Sequence, residues 1–172
     1  MIKRIAITGP ESTGKSWLSE ELAAHYQTVW VPEYARQYID GLNRPYNFDD
    51  ILEIARGQYN LEEECALRAN KLLFSDTDFI VLKVWCEFKY RKTHPWIDEM
   101  ILKHKYDLYL LADIDLEWKF DPQREHPHLR KEIFNLYKEE LTTRSLPFQI
   151  ISGREEERLR NAVSYVNLLE IS

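Results

Sequence analysis

Eight residues near the start of the chain, Gly9–Ser16, have the types and spacing of a loop that binds phosphate groups. They fit the pattern G-x-x-x-x-G-K-[ST], in which backbone N–H groups surround phosphate oxygens and glycine avoids obstructing side chains. Lys15 would place a positive charge on the phosphates of a nucleotide, and the Ser16 hydroxyl would bind Mg²⁺. The predicted nucleotide contacts are Gly9, Glu11, Ser12, Thr13, Gly14, Lys15 and Ser16.

Three acidic residues further along the chain are candidates for the chemistry of phosphoryl transfer. Asp76 ends an apolar segment, where a second Mg²⁺-binding carboxylate is expected; capping of the next helix is its alternative role. Glu33 could accept a proton from an acceptor hydroxyl, or form a surface ion pair. Asp78 is interpreted either as a helix cap or as a contact to a substrate hydroxyl. Which carboxylate is the general base stays open.

Three arginines and two aromatic residues are further candidates. Arg36 lies three residues after Glu33 and could pair with it or hold a product phosphate. Arg124 and Arg130 lie in or beside the polar segment 113–128, interpreted as a mobile lid, and lids bring arginines to developing charge. The alternative for both is a solvent-exposed side chain. Tyr34 and Trp85 could stack on a planar ring, although most such aromatics belong to a core.

The elements that must position these residues alternate between short apolar strands and helices. This alternation predicts a parallel, three-layer α/β sheet, which binds ligands at the carboxyl ends of its strands. The predicted strands are residues 2–8, 27–31, 72–75, 107–112 and 147–151. The predicted helices are residues 15–26, 33–42, 49 or 50 to 71, 79–90, 95–103, 129–143 and 155–169.

Length, charge and cysteine content restrict the class of protein. The 172 residues are expected to form a single domain with a sizeable core. The net charge of −6 argues against nucleic acid as the main partner, since phosphate backbones require clustered Lys and Arg. Cys65 and Cys86 fit neither a zinc site nor a C-x-x-C motif, which favours reduced thiols in the cytoplasm. No apolar run is long enough for a membrane span, and a homo-oligomer stays open.

Five motifs in this order carry a resemblance over nearly the whole chain: G-P-E-S-T-G-K-S (9–16), V-P-E-Y-A-R (31–36), I-A-R-G-Q (54–58), D-T-D (76–78) and K-V-W (83–85). They resemble the ribosylnicotinamide kinase domains of NadR-type NAD-biosynthesis proteins and their stand-alone P-loop relatives. The resemblance implies a P-loop NTPase fold of nucleoside-kinase type, with ATP and Mg²⁺ as cofactors. Carried over by motif, Gly9, Gly14, Lys15 and Ser16 would hold ATP, Asp76 would support Mg²⁺, and Arg124 and Arg130 would be lid arginines. The predicted substrate contacts are Glu33, Tyr34, Arg36, Gln58, Asp78 and Trp85.

The resemblance further implies transfer of phosphate to the ribose 5′-hydroxyl of nicotinamide riboside, with Glu33 as the candidate base. Three alternatives remain at this stage. The chain could phosphorylate another nucleoside or small metabolite, it could sense ATP with little turnover, or it could hydrolyse a nucleoside triphosphate. Nucleoside-dependent release of ADP would separate a kinase from the other two classes.

Overall fold

Five parallel strands form the sheet that carries the candidate site. In the computed structural model, which describes residues 2–169, every pairing between strands is parallel and the order is β2-β3-β1-β4-β5. The prediction of a five-stranded parallel α/β sheet is confirmed. The strands are β1 (Lys3–Thr8), β2 (Trp30–Val31), β3 (Leu72–Asp76), β4 (Leu108–Ala112) and β5 (Phe148–Ile151).

Helices cover both faces of this sheet and complete three layers. One face is covered by the first and last helices, which pack against each other, and the third to sixth helices cover the opposite face. The helices are α1 (Lys15–His25), α2 (Tyr34–Asp40), α3 (Phe48–Ala66), α4 (Phe79–Tyr90), α5 (Pro95–Lys103), α6 (Arg130–Thr143) and α7 (Glu155–Val166).

The central strands are buried on both faces because successive side chains point to opposite helical layers. In β1, Ile5 and Ile7 pack in the apolar cluster that contains residues of α1 and α7, whereas Ala6 packs in the cluster on the other face. All three side chains are fully buried. This explains why β1 is a continuous apolar run rather than an alternation of apolar and polar residues.

The register of the strands brings the ends of β1, β3 and β4 to one edge of the sheet. Ile7 pairs with Asp76 of β3, and Thr8 pairs with Leu111 of β4. The loop that begins at Gly9 therefore lies between the ends of two neighbouring strands. This is the edge at which ligands bind in parallel α/β sheets.

Two predicted boundaries differ from the structure at the second strand and the third helix. The strand includes only Trp30–Val31, because the Thr28 N–H donates to the Ala23 carbonyl at 2.9 Å and prolongs the last turn of α1. Asn47, rather than Asp49 or Asp50, caps α3: its side chain accepts from both of their N–H groups.

The third and last helices end earlier than predicted. Helix α3 stops at Ala66 rather than at Lys71, which has a left-handed φ of 64° as the chain turns into β3. Helix α7 stops at Val166 rather than at Leu169. Among residues 2–169, no helix has the length and apolar character needed to cross a membrane.

Candidate active site

The phosphate-binding loop connects β1 to α1 and requires glycine at two positions for different reasons. Gly9 has a φ of 129°, and a Cβ atom there would lie 3.0 Å from the carbonyl oxygen of Ala112 on the neighbouring strand. Gly14 has a φ of 78° and is the N-cap of α1. Both positive φ values are unfavourable for residues with a side chain. The loop is thus fixed so that the N-terminus of α1 faces the site, which favours an anion there.

Hydrogen bonds from two side chains within the loop fix its conformation and the position of its positive charge. The hydroxyl of Thr13 and the ammonium of Lys15 both donate to the carbonyl of Pro10, at 2.8 and 2.9 Å. The Lys15 ammonium is therefore held directly at the loop. A phosphate group bound by the backbone N–H groups would lie beside this charge.

Ser16 and Asp76 meet at the base of the loop and form the candidate metal site. The Ser16 hydroxyl donates to Asp76 Oδ2, while Asp76 Oδ1 is buried and has no hydrogen-bond partner among residues 2–169. Burial, followed by the charge of Glu33, raises the pKa of Asp76 to about 6. A divalent cation would supply the missing partner and stabilise the ionised carboxylate. A hydroxyl and a carboxylate are ligands that suit Mg²⁺, so these residues fit the ion.

Glu33 and Arg36 lie at the start of α2. Glu33 is the N-cap of α2, and both side chains line the same cavity as Asp76. Arg36 pairs with Asp121 of segment 113–128 at 3.0 Å, rather than with Glu33 as one interpretation had it. Glu33 therefore lines the cavity without an ion pair to Arg36. A carboxylate without that ion pair is available to accept a proton.

A cavity of about 590 Å³ connects these residues. Besides the phosphate-binding loop and α2, its walls include one face of α4, part of α6 and segment 113–128. Twelve of the sixteen predicted site residues line it: Gly9, Glu11, Ser12, Thr13, Gly14, Lys15, Ser16, Glu33, Arg36, Asp76, Trp85 and Arg124.

Three predicted acceptor contacts lie outside this lining and have structural contacts instead. Gln58 is buried, accepts from the Tyr34 N–H at 2.8 Å and donates to the Pro32 carbonyl at 3.3 Å, so it fixes the start of α2. The ring of Tyr34 lies against Gly57, where a Cβ atom would come within 2.0 Å of the ring. Asp78 accepts from two N–H groups at the start of α4 and is its N-cap, the alternative role predicted for it.

Arg130 is the fourth predicted residue outside the lining. Its guanidinium donates to the carbonyls of Ser12, Ile114 and Leu116 at 3.2, 2.8 and 2.6 Å. It therefore connects the phosphate-binding loop to the start of segment 113–128 and does not point at the cavity. An arginine that is used in this way has fewer donors left for a phosphate group.

Segment 113–128, which we call the lid, lies directly over the phosphate-binding loop. The Lys119 N–H donates to the Ser12 hydroxyl at 2.8 Å, and Arg124 lines the cavity. Glu11, predicted as a nucleotide contact, accepts from the N–H groups of Glu125 and His126 at 3.1 and 3.3 Å. The carboxylate of Glu11 thus holds the lid.

An apolar wall of the cavity was only partly predicted. Four residues of α4 at helical spacing line it: Val81, Val84, Trp85 and Phe88. Because residues at this spacing share one face of a helix, the prediction of Trp85 also indicated the other three. Tyr46 reaches the wall from a loop, and its hydroxyl accepts from the Trp85 indole N–H at 3.0 Å. No sequence pattern identifies that contact. The wall suits a planar apolar ring beside the polar phosphate side of the cavity.

The sequence is similar to one family and to two characterised relatives. Residues 4–158 match the family model described as "AAA domain". The chain is 31% identical over 153 residues to the trifunctional NAD biosynthesis/regulator protein NadR of Escherichia coli (strain K12), covering 86% of this chain and 37% of NadR. It is 31% identical over 127 residues to NadR of Salmonella typhimurium, covering 72% and 31%. The chain thus spans about a third of the length of these relatives.

Solved structures share the fold. A NadR protein in complex with NR superposes with a TM-score of 0.86 at 24% identity, over 99% of this chain and 53% of that one. Deoxyadenosine kinase from M. mycoides superposes with a TM-score of 0.68 at 12% identity, over 96% and 100%. The fold is accordingly the P-loop fold of nucleoside kinases. Since the family model covers most of the residues, the chain belongs to the AAA domain family.

Proposed function

We propose that this chain is a kinase that transfers the γ-phosphoryl group of ATP to the ribose 5′-hydroxyl of nicotinamide riboside. One observation carries the proposal: a phosphate-binding loop with its Ser16–Asp76 pair shares a single cavity with Glu33 and an apolar wall. A donor and an acceptor can therefore meet in one enclosed space. The similarity to NadR, whose name assigns it to NAD biosynthesis, supports nicotinamide riboside as the acceptor.

On the donor side, the loop backbone and Lys15 would bind the phosphates of ATP. Lys15 would stabilise negative charge that develops as the γ-phosphoryl group moves. Ser16 and Asp76 would hold Mg²⁺, which supplies charge neutralisation at the phosphate oxygens when it is bound. Arg124, which lines the cavity from the lid, would contact the transferred group.

On the acceptor side, Glu33 would accept the proton of the 5′-hydroxyl. The hydroxyl oxygen then forms a bond to the γ-phosphorus, the bond from that phosphorus to the β,γ-bridging oxygen breaks, and ADP leaves. The apolar wall with Trp85 and Tyr46 would receive the base of the nucleoside. Asp76 is the alternative base, because its pKa is raised to about 6 and it lines the same cavity.

An ADP-release assay over a panel of nucleosides tests the proposal directly. With ATP and Mg²⁺ present, nicotinamide riboside should increase ADP release, and the product should be its 5′-monophosphate by mass spectrometry. Stimulation only by another nucleoside would support a kinase with a different acceptor. Release that no nucleoside changes would indicate a hydrolase, and binding of ATP without release would indicate a sensing module.

We also propose a cytoplasmic location. The two cysteines support it, because Cys65 and Cys86 are both free and buried in the structure. Free thiols are typical of a reducing compartment. Measurement of the two thiols in protein isolated from cells under alkylating conditions would test this location.

A further inference from the structure

Glu125 of the lid makes contacts to both sides of the cavity at once. Its backbone N–H donates to the carboxylate of Glu11 in the phosphate-binding loop, at 3.1 Å. Its side-chain carboxylate lies on the opposite side, against Tyr46 and Lys89. His126 also contacts both sides, because its N–H donates to Glu11 Oε2 and its ring lies edge-on to Phe88 of the apolar wall, with 4.9 Å between the ring centres.

On the phosphate side, the contact involves two consecutive backbone groups. The N–H groups of Glu125 and His126 both donate to Glu11 Oε2, at 3.1 and 3.3 Å. Hydrogen bonds to an ionised acceptor are among the stronger ones in proteins. A shift of the lid away from the loop would break both bonds together. The position of the lid backbone at residue 125 is therefore tied to the loop that would hold ATP.

On the acceptor side, the carboxylate of Glu125 belongs to a small network. It accepts from the Tyr46 hydroxyl at 3.0 Å and from the Lys89 ammonium at 2.9 and 3.2 Å. The same Tyr46 hydroxyl accepts from the indole N–H of Trp85, and both rings line the cavity. The Lys89 ammonium also lies 3.9 Å from the centre of the Tyr46 ring. The apolar wall is thus connected to the lid through Tyr46.

The charged partners in this network are partly shielded from water. The side chains of Lys89 and Glu125 are 31% and 35% exposed. Fully exposed ion pairs contribute little, but several charges in one hydrogen-bonded network contribute more. The network therefore favours the lid position in which its hydrogen bonds and ion pair are formed, although it is not part of the buried core.

Arg124 precedes Glu125 in the lid and lines the cavity. Its guanidinium donates to the Lys119 carbonyl at 2.5 Å, and the Lys119 N–H donates to the Ser12 hydroxyl. We propose that Glu125 is a positioning residue that joins the two sides of the cavity and so holds Arg124 at the phosphate-binding loop. The nucleotide and the acceptor would then each stabilise the same lid position, and each would increase the affinity for the other.

This inference rests on the proposed function, because it assumes that a nucleotide and a nucleoside occupy the two sides. Coupling between two sites is reciprocal, so a single factor describes the effect of each ligand on the other. ADP and nicotinamide riboside are suitable probes, since they bind without turnover. We expect calorimetry to give a coupling factor of about 5 or more for the unchanged protein.

The variants Glu125→Gln and Lys89→Met each remove one of the two charges of the ion pair between Glu125 and Lys89. Each should lower the coupling factor to nearly 1, lower kcat about tenfold and leave the melting temperature nearly unchanged. The double variant should be no worse than either single variant, because both remove the same connection. Glu99→Gln and Lys103→Met are matched controls, as they break an exposed pair on α5 that is remote from the lid.

Three results would overturn the inference: no coupling in the unchanged protein, single variants that keep the coupling, or losses that multiply in the double variant. A second measurement separates this failure from failure of the proposed function. Chymotrypsin can cut the lid after Trp118 or Phe120, away from the mutated position. This cleavage is measured without ligands, so it does not depend on nucleoside binding. Chymotrypsin should cut Glu125→Gln several times faster than the unchanged protein. Equal rates would contradict the proposal that Glu125 joins the two sides of the cavity.

Discussion

Two buried carboxylates, one at the end of strand β3 and one in helix α3, have opposite surroundings. Asp76 ends β3 with one oxygen bonded to Ser16 and the other without a partner among residues 2–169, and its pKa is raised to about 6. Glu62 of α3 contacts the preceding residue of β3, Ser75, and has a partner for each oxygen. Both side chains are 1% exposed. Burial alone therefore does not distinguish them.

Glu62 is the centre of a complete hydrogen-bonded cluster. Its carboxylate receives hydrogen bonds from Arg4, Ser75, His104 and Tyr106, at 2.7, 3.0, 2.8 and 2.6 Å. Burial raises the pKa of Glu62, but the bonds and charges of His104, Tyr106 and Arg4 outweigh burial and hold the pKa below its usual value. A buried charge that is fully paired contributes to structure, whereas a buried oxygen without a partner at a cavity wall, as in Asp76, indicates a ligand. Asp78 Oδ2 is also buried without a partner among residues 2–169, but Asp78 does not line the cavity.

This difference predicts that changes near Asp76 reduce activity and changes at Glu62 reduce stability. The largest effect on activity is expected for Glu33→Gln, which keeps the shape of the side chain but removes the basic carboxylate. Loss of a general base lowers kcat by about 10²–10⁴-fold. The affinity for ATP with Mg²⁺ should stay the same, because Glu33 is assigned to the acceptor. Steady-state kinetics and ATP-analogue binding measure the two quantities separately.

Asp76→Asn is the comparison variant for the base. Its activity should recover in part at high Mg²⁺ concentration, because the amide oxygen can still contribute weakly to the ion. If Glu33→Gln turns over normally and Asp76→Asn is inactive at every Mg²⁺ concentration, the two carboxylates have the reverse roles.

Lys15→Ala is expected to give the next largest effect. Removal of one electrostatic contact to developing charge costs about 3–4 kcal/mol, or 10²–10³-fold in rate. The fold should persist, since the one hydrogen bond of the Lys15 ammonium within residues 2–169 goes to the Pro10 carbonyl of its own loop. Circular dichroism and thermal unfolding provide the control. Near-normal turnover in this folded variant would remove the kinase proposal.

Local patterns were sufficient to predict the phosphate side of the cavity. The loop, Asp76 and Glu33 all lie at the ends of apolar strands, and parallel strands bring their carboxyl ends to one edge. The spacing of α3 was also informative, because Gln58, Glu62 and Cys65 are on one buried face. Glu62 was nevertheless missed, since its partners lie up to 58 residues away and a glutamate on a helix is usually exposed.

The roles of Gln58 and Arg130 show the limit of the sequence. Gln58 belongs to one of the motifs and Arg130 was predicted as a lid arginine, but both bond to backbone groups: Gln58 at the start of α2 and Arg130 at three carbonyls. Sequence identifies a side chain that can bind polar groups. It does not identify which polar groups the fold leaves without a partner, because those depend on contacts between distant segments.

The third prediction concerns stability. Glu62→Gln should lower the free energy of unfolding by about 2–4 kcal/mol, because the buried Arg4 and His104 contacts lose their charged partner. Urea denaturation measures this loss. Glu53→Gln is the matched control on the same helix: its carboxylate pairs with Arg56 and both side chains are 51% exposed, so the expected change is within about 0.5 kcal/mol. Refolded Glu62→Gln should keep the kcat of the unchanged protein, in contrast to Glu33→Gln.

The smallest expected effect is the pH dependence of the difference in unfolding free energy between the unchanged protein and Glu62→Gln. A carboxyl whose pKa is lower in the folded state stabilises the protein above its unfolded pKa, here 4.5, and this contribution is lost as the pH falls through the folded value. The groups that face Glu62 are Arg4, His104 and Tyr106, and Glu63 and Asp78 lie nearby.

The difference in unfolding free energy between the unchanged protein and Glu62→Gln should therefore be largest near pH 7 and should narrow below pH 4.5. Glutamine cannot titrate, so the narrowing must come from protonation of Glu62 in the unchanged protein. The same comparison in a His104→Gln background removes the imidazole that contacts Glu62 from both proteins. A difference that grows as the pH falls would mean that Glu62 is protonated in the folded state at neutral pH. The Glu62 cluster would then resemble Asp76, and hydrogen-bond partners would not distinguish the two carboxylates.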